Sequence, residues 1–205
     1  MISRSPMLPV VVLALLLIPL GALAITEPDT GTEYADQVTT GVGGQTVLLE
    51  ATGVALREKT FLKVDVYTIV SYVDATAELG DDPAATLRTI DAAKRLQMDL
   101  RRGFGRDKLL DSFSEVIERN YDDLSAFAAD MVTFLSYFDR DAEEDDRIVF
   151  EYLPGVGLIT SLNGEIKGTI ENPAFTEALW SVWFGEKPAN GGMREQLVAE
   201  VSGQE

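Results

Sequence analysis

A chain of 205 residues with 34 Asp and Glu against 17 Lys and Arg carries a formal charge of −17, and it contains neither histidine nor cysteine. The acidic field repels nucleic acid and anionic membrane surfaces. The missing residue types exclude disulfides, the usual zinc and copper ligands, and Ser-His-Asp or Cys-His catalysis, so packing alone must hold the fold.

Residues 1–24 read as a signal peptide. Arg4 supplies the positive start, Met7 to Leu20 is apolar apart from Pro9 and Pro19, and Ala22-Leu23-Ala24 precedes Ile25 as an A-x-A cleavage site. The apolar run is short for a retained anchor and has no stop-transfer flank. Cleavage after Ala24, a periplasmic or secreted location and no stable membrane span in the mature chain are therefore expected. Residues 25–45 are polar, rich in Thr, Gly and Asp, and show no period, which predicts a flexible N-terminal arm.

Thr46 to Ala51 reads as a first strand, with Gly53 as a turn or bulge, and Val54 to Val73 holds two more. Along the last of these, Leu62, Val64, Val66, Thr68, Val70 and Tyr72 share one face by the two-residue period. Tyr67 and Ile69 lie on the other, with Lys63 and Asp65 nearer the turn. Arg57 and Tyr67 are thus carried into strands rich in Val, Ile and Thr, where a guanidinium must find an anion or stay at the rim in water.

Asp82-Pro83 starts a short helix, with Asp82 as N-cap. Lys94 to Arg101 alternates as a strand with Leu96, Met98 and Leu100 on one side. Two helical stripes follow, one through Leu109, Phe113, Val116 and Ile117, the other through Leu124, Phe127, Met131, Phe134 and Phe138. They read as core rather than as a ligand box, and Asp122 or Asp123 is the expected cap of the second. The acidic run from Asp139 to Asp146 lacks the D-x-[DN]-x-[DN]-G spacing of a calcium loop and reads as a solvated loop, so no metal is expected.

Arg147 to Leu153 and Val156 to Leu162 are strands, and Asn163-Gly164 is a hairpin turn into Ile166 to Ile170. Asn172-Pro173 opens a helix burying Phe175, Leu179, Val182 and Trp183, and a last helix covers Met193 to Val201. Strands in hairpins and helices in blocks predict an α+β domain over residues 46–201, an antiparallel sheet covered on one side by helices.

The order Gly53-Val54-x-x-Arg57-x-Lys59, then Val66-Tyr67-x-x-x-x-Tyr72-Val73, resembles the N-terminal hairpin of chalcone isomerase-like proteins. The runs Leu153-Pro154-Gly155-Val156-Gly157, Leu162-Asn163-Gly164-Glu165 and Phe175-x-x-Ala178-Leu179-x-x-x-Trp183-Phe184-Gly185-Glu186-Lys187-Pro188 resemble its bacterial exported branch. The resemblance implies an open-faced β-sandwich, a large antiparallel sheet with helices packed on one face, and no cofactor. It implies two activities. Plant members close a flavanone ring with an arginine and a hydrogen-bonding network, and plastid members bind fatty acids, with an arginine and a tyrosine holding the carboxylate. Arg57 and Tyr67 match those two positions. The tyrosine, lysine and asparagine of the isomerases' first large helix are reduced here to Lys108, and removing donors to a developing oxyanion costs about 2–4 kcal/mol each.

The reading that follows is a non-catalytic binder of a small amphipathic carboxylate such as a fatty acid, with Arg57 and Tyr67 as ligand residues. An ion pair of Arg57 with Glu58 or Asp65 is the competing role for that arginine. A cofactor-free isomerase is the second reading, marked by a pocket with several convergent polar donors. A periplasmic protein-interaction module is the third, marked by an outward-facing Trp180 or Trp183.

Overall fold

The protein is described here by a computed structural model covering residues 24–42, 44–59 and 64–202. The expected signal peptide lies outside these residues except for Ala24, and so do Leu62 and Lys63 of the second hairpin strand. Nine strands and five helices follow in chain order: β1 (Ala24–Thr26), β2 (Glu33–Ala35), β3 (Gln37–Val42), β4 (Gln45–Lys59), β5 (Val64–Asp74), α1 (Pro83–Thr89), β6 (Lys94–Leu100), α2 (Arg106–Asn120), α3 (Ala128–Ser136), β7 (Arg147–Leu153), β8 (Gly157–Leu162), β9 (Glu165–Ile170), α4 (Pro173–Phe184) and α5 (Met193–Gln196). Strands β3 to β9 form one curled antiparallel sheet in sequence order, and β1 pairs with β2 in a separate two-stranded ribbon. The α+β class and the helix-covered antiparallel sheet are those expected.

Three local expectations are corrected. Residues 25–45 carry β1, β2 and β3 instead of an arm without regular structure. Sheet residues on the face away from the helices need cover, and the ribbon supplies it. Tyr34 on β2 is 5% exposed, meets Thr68 Oγ1 at 2.7 Å and packs with Leu49, Val70 and Tyr72, while Tyr72 donates its hydroxyl to Ala35 O at 2.9 Å. The strand from Thr46 does not end near Ala51 but continues through a bulge between Ala51 and Gly53 as the 15-residue β4. At the bulge Thr52 donates to Leu197 O at 2.7 Å, and a Cβ on Gly53 would lie 2.2 Å from Gln196 O. Only glycine lets the chain after α4 lie against the sheet there. Finally, α3 starts later than expected, with Phe127 at its N-cap, and Asp123 accepts instead from the Ser125 amide in a local turn.

The other local signals act as their chemistry dictates. Asp82 caps α1 through the Ala85 amide and Asn172 caps α4 through the Ala174 amide, each followed by proline. Asn163 and Gly164 have φ of 52° and 83°, the paired left-handed conformation of a tight hairpin.

The main core lies between the inner sheet face and the helices. Alternate residues of β5 and β6 (Tyr67, Ile69, Leu96, Met98, Leu100) meet α2 and α4 there. The aromatic stripes are core, as expected: the Phe113, Phe134, Phe138 and Phe150 rings contact one another at centroid distances of 5.3–5.8 Å. Each such ring removed from water contributes about 1.5–3 kcal/mol. Trp180 and Trp183 are both fully buried on α4, so the outward aromatic that would have marked a docking face is missing.

Two charged groups are built into this frame. Lys94, 1% exposed, donates to Leu87 O, Arg88 O and Ile90 O at 2.9, 3.2 and 3.1 Å, closing the C-terminal end of α1. Burial pulls its pKa below the usual lysine value, to about 7, while the three carbonyls and the faces of Tyr152 and Trp180 hold the proton in place. In the acidic run, Asp146 is buried instead of solvated. It takes both guanidinium nitrogens of Arg140 at 2.8 Å, the Glu143 amide at 2.8 Å and Asn163 Nδ2 at 2.7 Å. Among the described residues no cluster of acidic side chains is arranged to hold a metal.

Candidate functional site

Arg57 and Tyr67 are direct cross-strand partners, on β4 and β5. Directly paired residues of an antiparallel ladder share a face, so the residues singled out in sequence are brought together. Their side chains touch: the Arg57 guanidinium carbon lies 5.6 Å from the centre of the Tyr67 ring, a cation–π contact. One step further the ladder slips, with Glu58 pairing Asp65, so that Val66 is left over as a bulge. The free Val66 carbonyl accepts the Arg101 amide at 2.9 Å, and this bond draws the segment after β6 alongside the hairpin.

That segment completes the site. Arg102 follows, and Phe104 is fixed by a two-way backbone bridge to Ala142, N to O at 3.0 Å in both directions. Helix α2 starts immediately afterwards and presents Lys108 and Ser112 one turn apart. The result is a cavity of about 240 Å³ with Arg57, Arg102 and Lys108 on its wall and Glu58 as its one acid. Val66, Phe104 and Ala189 give it an apolar side. A small void, or slot, of about 10 Å³ shares Arg57, Phe104 and Ser112 with this cavity and is otherwise lined by Tyr67, Met98, Leu109, Phe113 and Val182. The site therefore grades from cationic outside to apolar inside, with Arg57 at the junction.

The proposed ion pair of Arg57 with Glu58 or Asp65 is not formed. Among the described residues no carboxylate lies within 4.0 Å of the guanidinium, although eight other ion pairs are present, and the neighbouring residues 60–63 (Thr-Phe-Leu-Lys) contain no acid. Arg102 and Lys108 likewise have no acid within that distance. Three cations with no acid within 4.0 Å among the described residues, against the single acid Glu58 on the same wall, form a local reversal of the chain's charge.

Tyr67 is 3% exposed, and its oxygen accepts the Trp183 indole N–H at 3.0 Å. Burial pushes its hydroxyl pKa up, against the opposing pull of Arg57 and Trp183, so the phenol stays protonated at neutral pH. With Trp183 using the oxygen as an acceptor, the hydroxyl proton remains available for donation. Trp183 is a positioning residue that the sequence reading assigned to core. The signal for it is that a buried indole N–H needs an acceptor, but nothing in sequence spacing pairs it with a tyrosine 116 positions away. Arg102, Phe104 and Ser112 were also missed, because they arrive through a bulge and a backbone bridge without any repeat or motif.

A larger open groove of about 720 Å³ lies elsewhere, between the β1–β2 ribbon, the β5–α1 connection and the chain end. Among the described residues its charged lining is Asp36, Glu50, Asp74 and Glu200, with no cation. Such a wall repels anions, so the Arg57 cavity is the candidate site.

A family model described as chalcone isomerase-like matches residues 30–199. The chain belongs to the chalcone isomerase-like family. The match begins ahead of Thr46, in keeping with the strands found in residues 25–45. Among solved structures, a fatty-acid binding protein of Arabidopsis thaliana is similar in fold, with a TM-score of 0.68 at 18% identity over 86% of this chain and 96% of that one. No curated protein matches the chain.

Proposed function

We propose that the protein binds a small amphipathic carboxylate, a fatty acid being the best-supported class, with Arg57 and Tyr67 as the carboxylate clamp. The observation that carries this reading is the Arg57 guanidinium, with no ion-pair partner among the described residues, at the junction of a cationic mouth and an apolar slot. A carboxylate there takes a two-pronged hydrogen bond from the guanidinium and a third from the Tyr67 hydroxyl. The cavity is smaller than the roughly 300–1,000 Å³ usual for ligand pockets, so a long tail enters only by widening the slot between α2 and the sheet. The fatty-acid binding relative of similar fold supports the ligand class.

A cofactor-free isomerase is the second reading, and a specific observation favours it: Lys108, Ser112 and Asn190 add polar donors to the cavity wall beyond the clamp. Turnover of chalcone at neutral pH decides it, and a rate equal to the spontaneous reaction ends it. For the binding reading, native mass spectrometry of protein purified from its own host should show a co-purified lipid that is lost in Arg57→Ala. Absence of any bound small molecule, together with no rise in melting temperature on adding fatty acid, overturns it. Export, with cleavage after Ala24, is part of the same proposal. It is supported by the A-x-A pattern and tested by N-terminal sequencing of the mature chain.

A further inference from the structure

Arg102 and Lys108 have no work to do for a monocarboxylate. A single carboxylate satisfies Arg57 and the Tyr67 proton, and it leaves two cations on the same 240 Å³ cavity without a counter-ion among the described residues. With Glu58 counted, three positive charges and one negative charge face the space, so the wall carries two charges in excess. Several cations elsewhere lie against acids, Arg95 on Glu151, Arg140 on Asp146, Arg147 on Asp99 and Arg194 on Asp82, and the buried Lys94 is held by three carbonyls. The cavity differs in gathering three cations on one wall with no acid within 4.0 Å of any of them among the described residues. A net charge of −17 opposes the approach of any anion, and a ring of unneutralised cations offsets that opposition most for a ligand of higher charge.

From this we infer that the same site also takes an amphipath with a doubly charged head, a phosphate monoester, and holds it more tightly than a monocarboxylate, through Arg57, Arg102 and Lys108 together. This rests on the reading of Arg57 as the anion anchor. A phosphate monoester offers three terminal oxygens against the two of a carboxylate. Guanidinium groups bind it as forks and an ammonium as a point charge, which is the mixed set present here. The apolar side of the cavity, Val66, Phe104 and Ala189, takes the first part of the tail.

The experiment is isothermal titration with dodecanoate, dodecyl phosphate and inorganic phosphate at low ionic strength. The pH is kept above the second phosphate ionisation, which lies at about 6. Dodecyl phosphate is expected to bind at least about tenfold tighter than dodecanoate, and the ratio should shrink toward one in Arg102→Ala and in Lys108→Ala. Arg119→Ala, at the far end of α2 and facing solvent, is the charge-matched control and should leave the ratio unchanged. Equal affinities for the two amphipaths, or a ratio that survives loss of both Arg102 and Lys108, overturns the inference. The carboxylate reading then stands if dodecanoate still binds and needs Arg57. Inorganic phosphate binding as tightly as dodecyl phosphate overturns the amphipathic part. If no amphipath binds, both proposals fall together.

Discussion

Tyr67→Phe separates the two jobs of one hydroxyl. The substitution keeps the ring, so the stacking of Arg57 on its face survives and no cavity larger than an oxygen is made. What goes is the acceptor for Trp183 Nε1, at 3.0 Å, in a place where Tyr67 is 3% and Trp183 0% exposed. Water does not reach the orphaned indole N–H, so the cost is that of a buried unsatisfied donor, about 1–3 kcal/mol. Urea denaturation of wild type, Tyr67→Phe, Trp183→Phe and the double variant closes a thermodynamic cycle. The coupling expected between the two side chains is about 1 kcal/mol. Binding should fall separately: losing one hydrogen bond to a carboxylate weakens dodecanoate by roughly tenfold, which is about 1.4 kcal/mol. A Tyr67→Phe variant as stable as wild type, with no coupling to Trp183, would refute the packing argument, and unchanged affinity would remove Tyr67 from the clamp.

Three further outcomes test the frame around the site. Gly53→Ala drives a Cβ to 2.2 Å from Gln196 O, and because that oxygen is backbone and the Cβ is fixed rigidly to its own backbone the loss should reach about 1–3 kcal/mol by denaturation; an unchanged midpoint contradicts the close approach. For Asp146, burial alone raises the pKa, but Arg140, the Glu143 amide and Asn163 together hold it at about 2, against 3.8 when free. A depressed carboxylate stabilises above its unfolded pKa and loses that contribution as pH falls through the folded one. About 2 kcal/mol should therefore disappear between pH 4 and pH 2 in wild type but not in Asp146→Asn, and parallel pH profiles would sink the claim. Lys94→Met removes the donor from three carbonyls at the end of α1 and should cost about 3 kcal/mol; equal stability shows that those carbonyls find other partners.

Much of the frame was legible in sequence because its signals are local. Asp82-Pro83 and Asn172-Pro173 cap helices, Asn163-Gly164 turns a hairpin, and the alternation of Leu96, Met98 and Leu100 marks one sheet face, each within a few residues. Arg57 and Tyr67 were legible as a pair because they flank one hairpin, so strand pairing alone brings them opposite each other. What failed depended on distant contacts. The β1–β2 ribbon was read as an arm because its few apolar residues make sense only over the sheet face that Tyr34 covers. The role of Gly53 emerged only with Leu197 packed against it. Trp183 as the partner of Tyr67, Arg102 and Phe104 on the cavity wall, and buried Asp146 inside an acidic run all depend on the tertiary fold. The composition even pointed the wrong way for Arg57, since an abundance of acids predicts an ion pair that the fold does not make.

The clamp is tested most directly by titrating dodecanoate into wild type and Arg57→Ala under identical low-salt conditions. Arg57 takes no part in an ion pair among the described residues, so the variant should lose only the cation–π contact with Tyr67, about 0.5–1 kcal/mol of stability, while its affinity falls at least tenfold, about 1.4 kcal/mol or more. Wild type that binds no dodecanoate, or an Arg57→Ala variant that binds it equally well, would contradict the account.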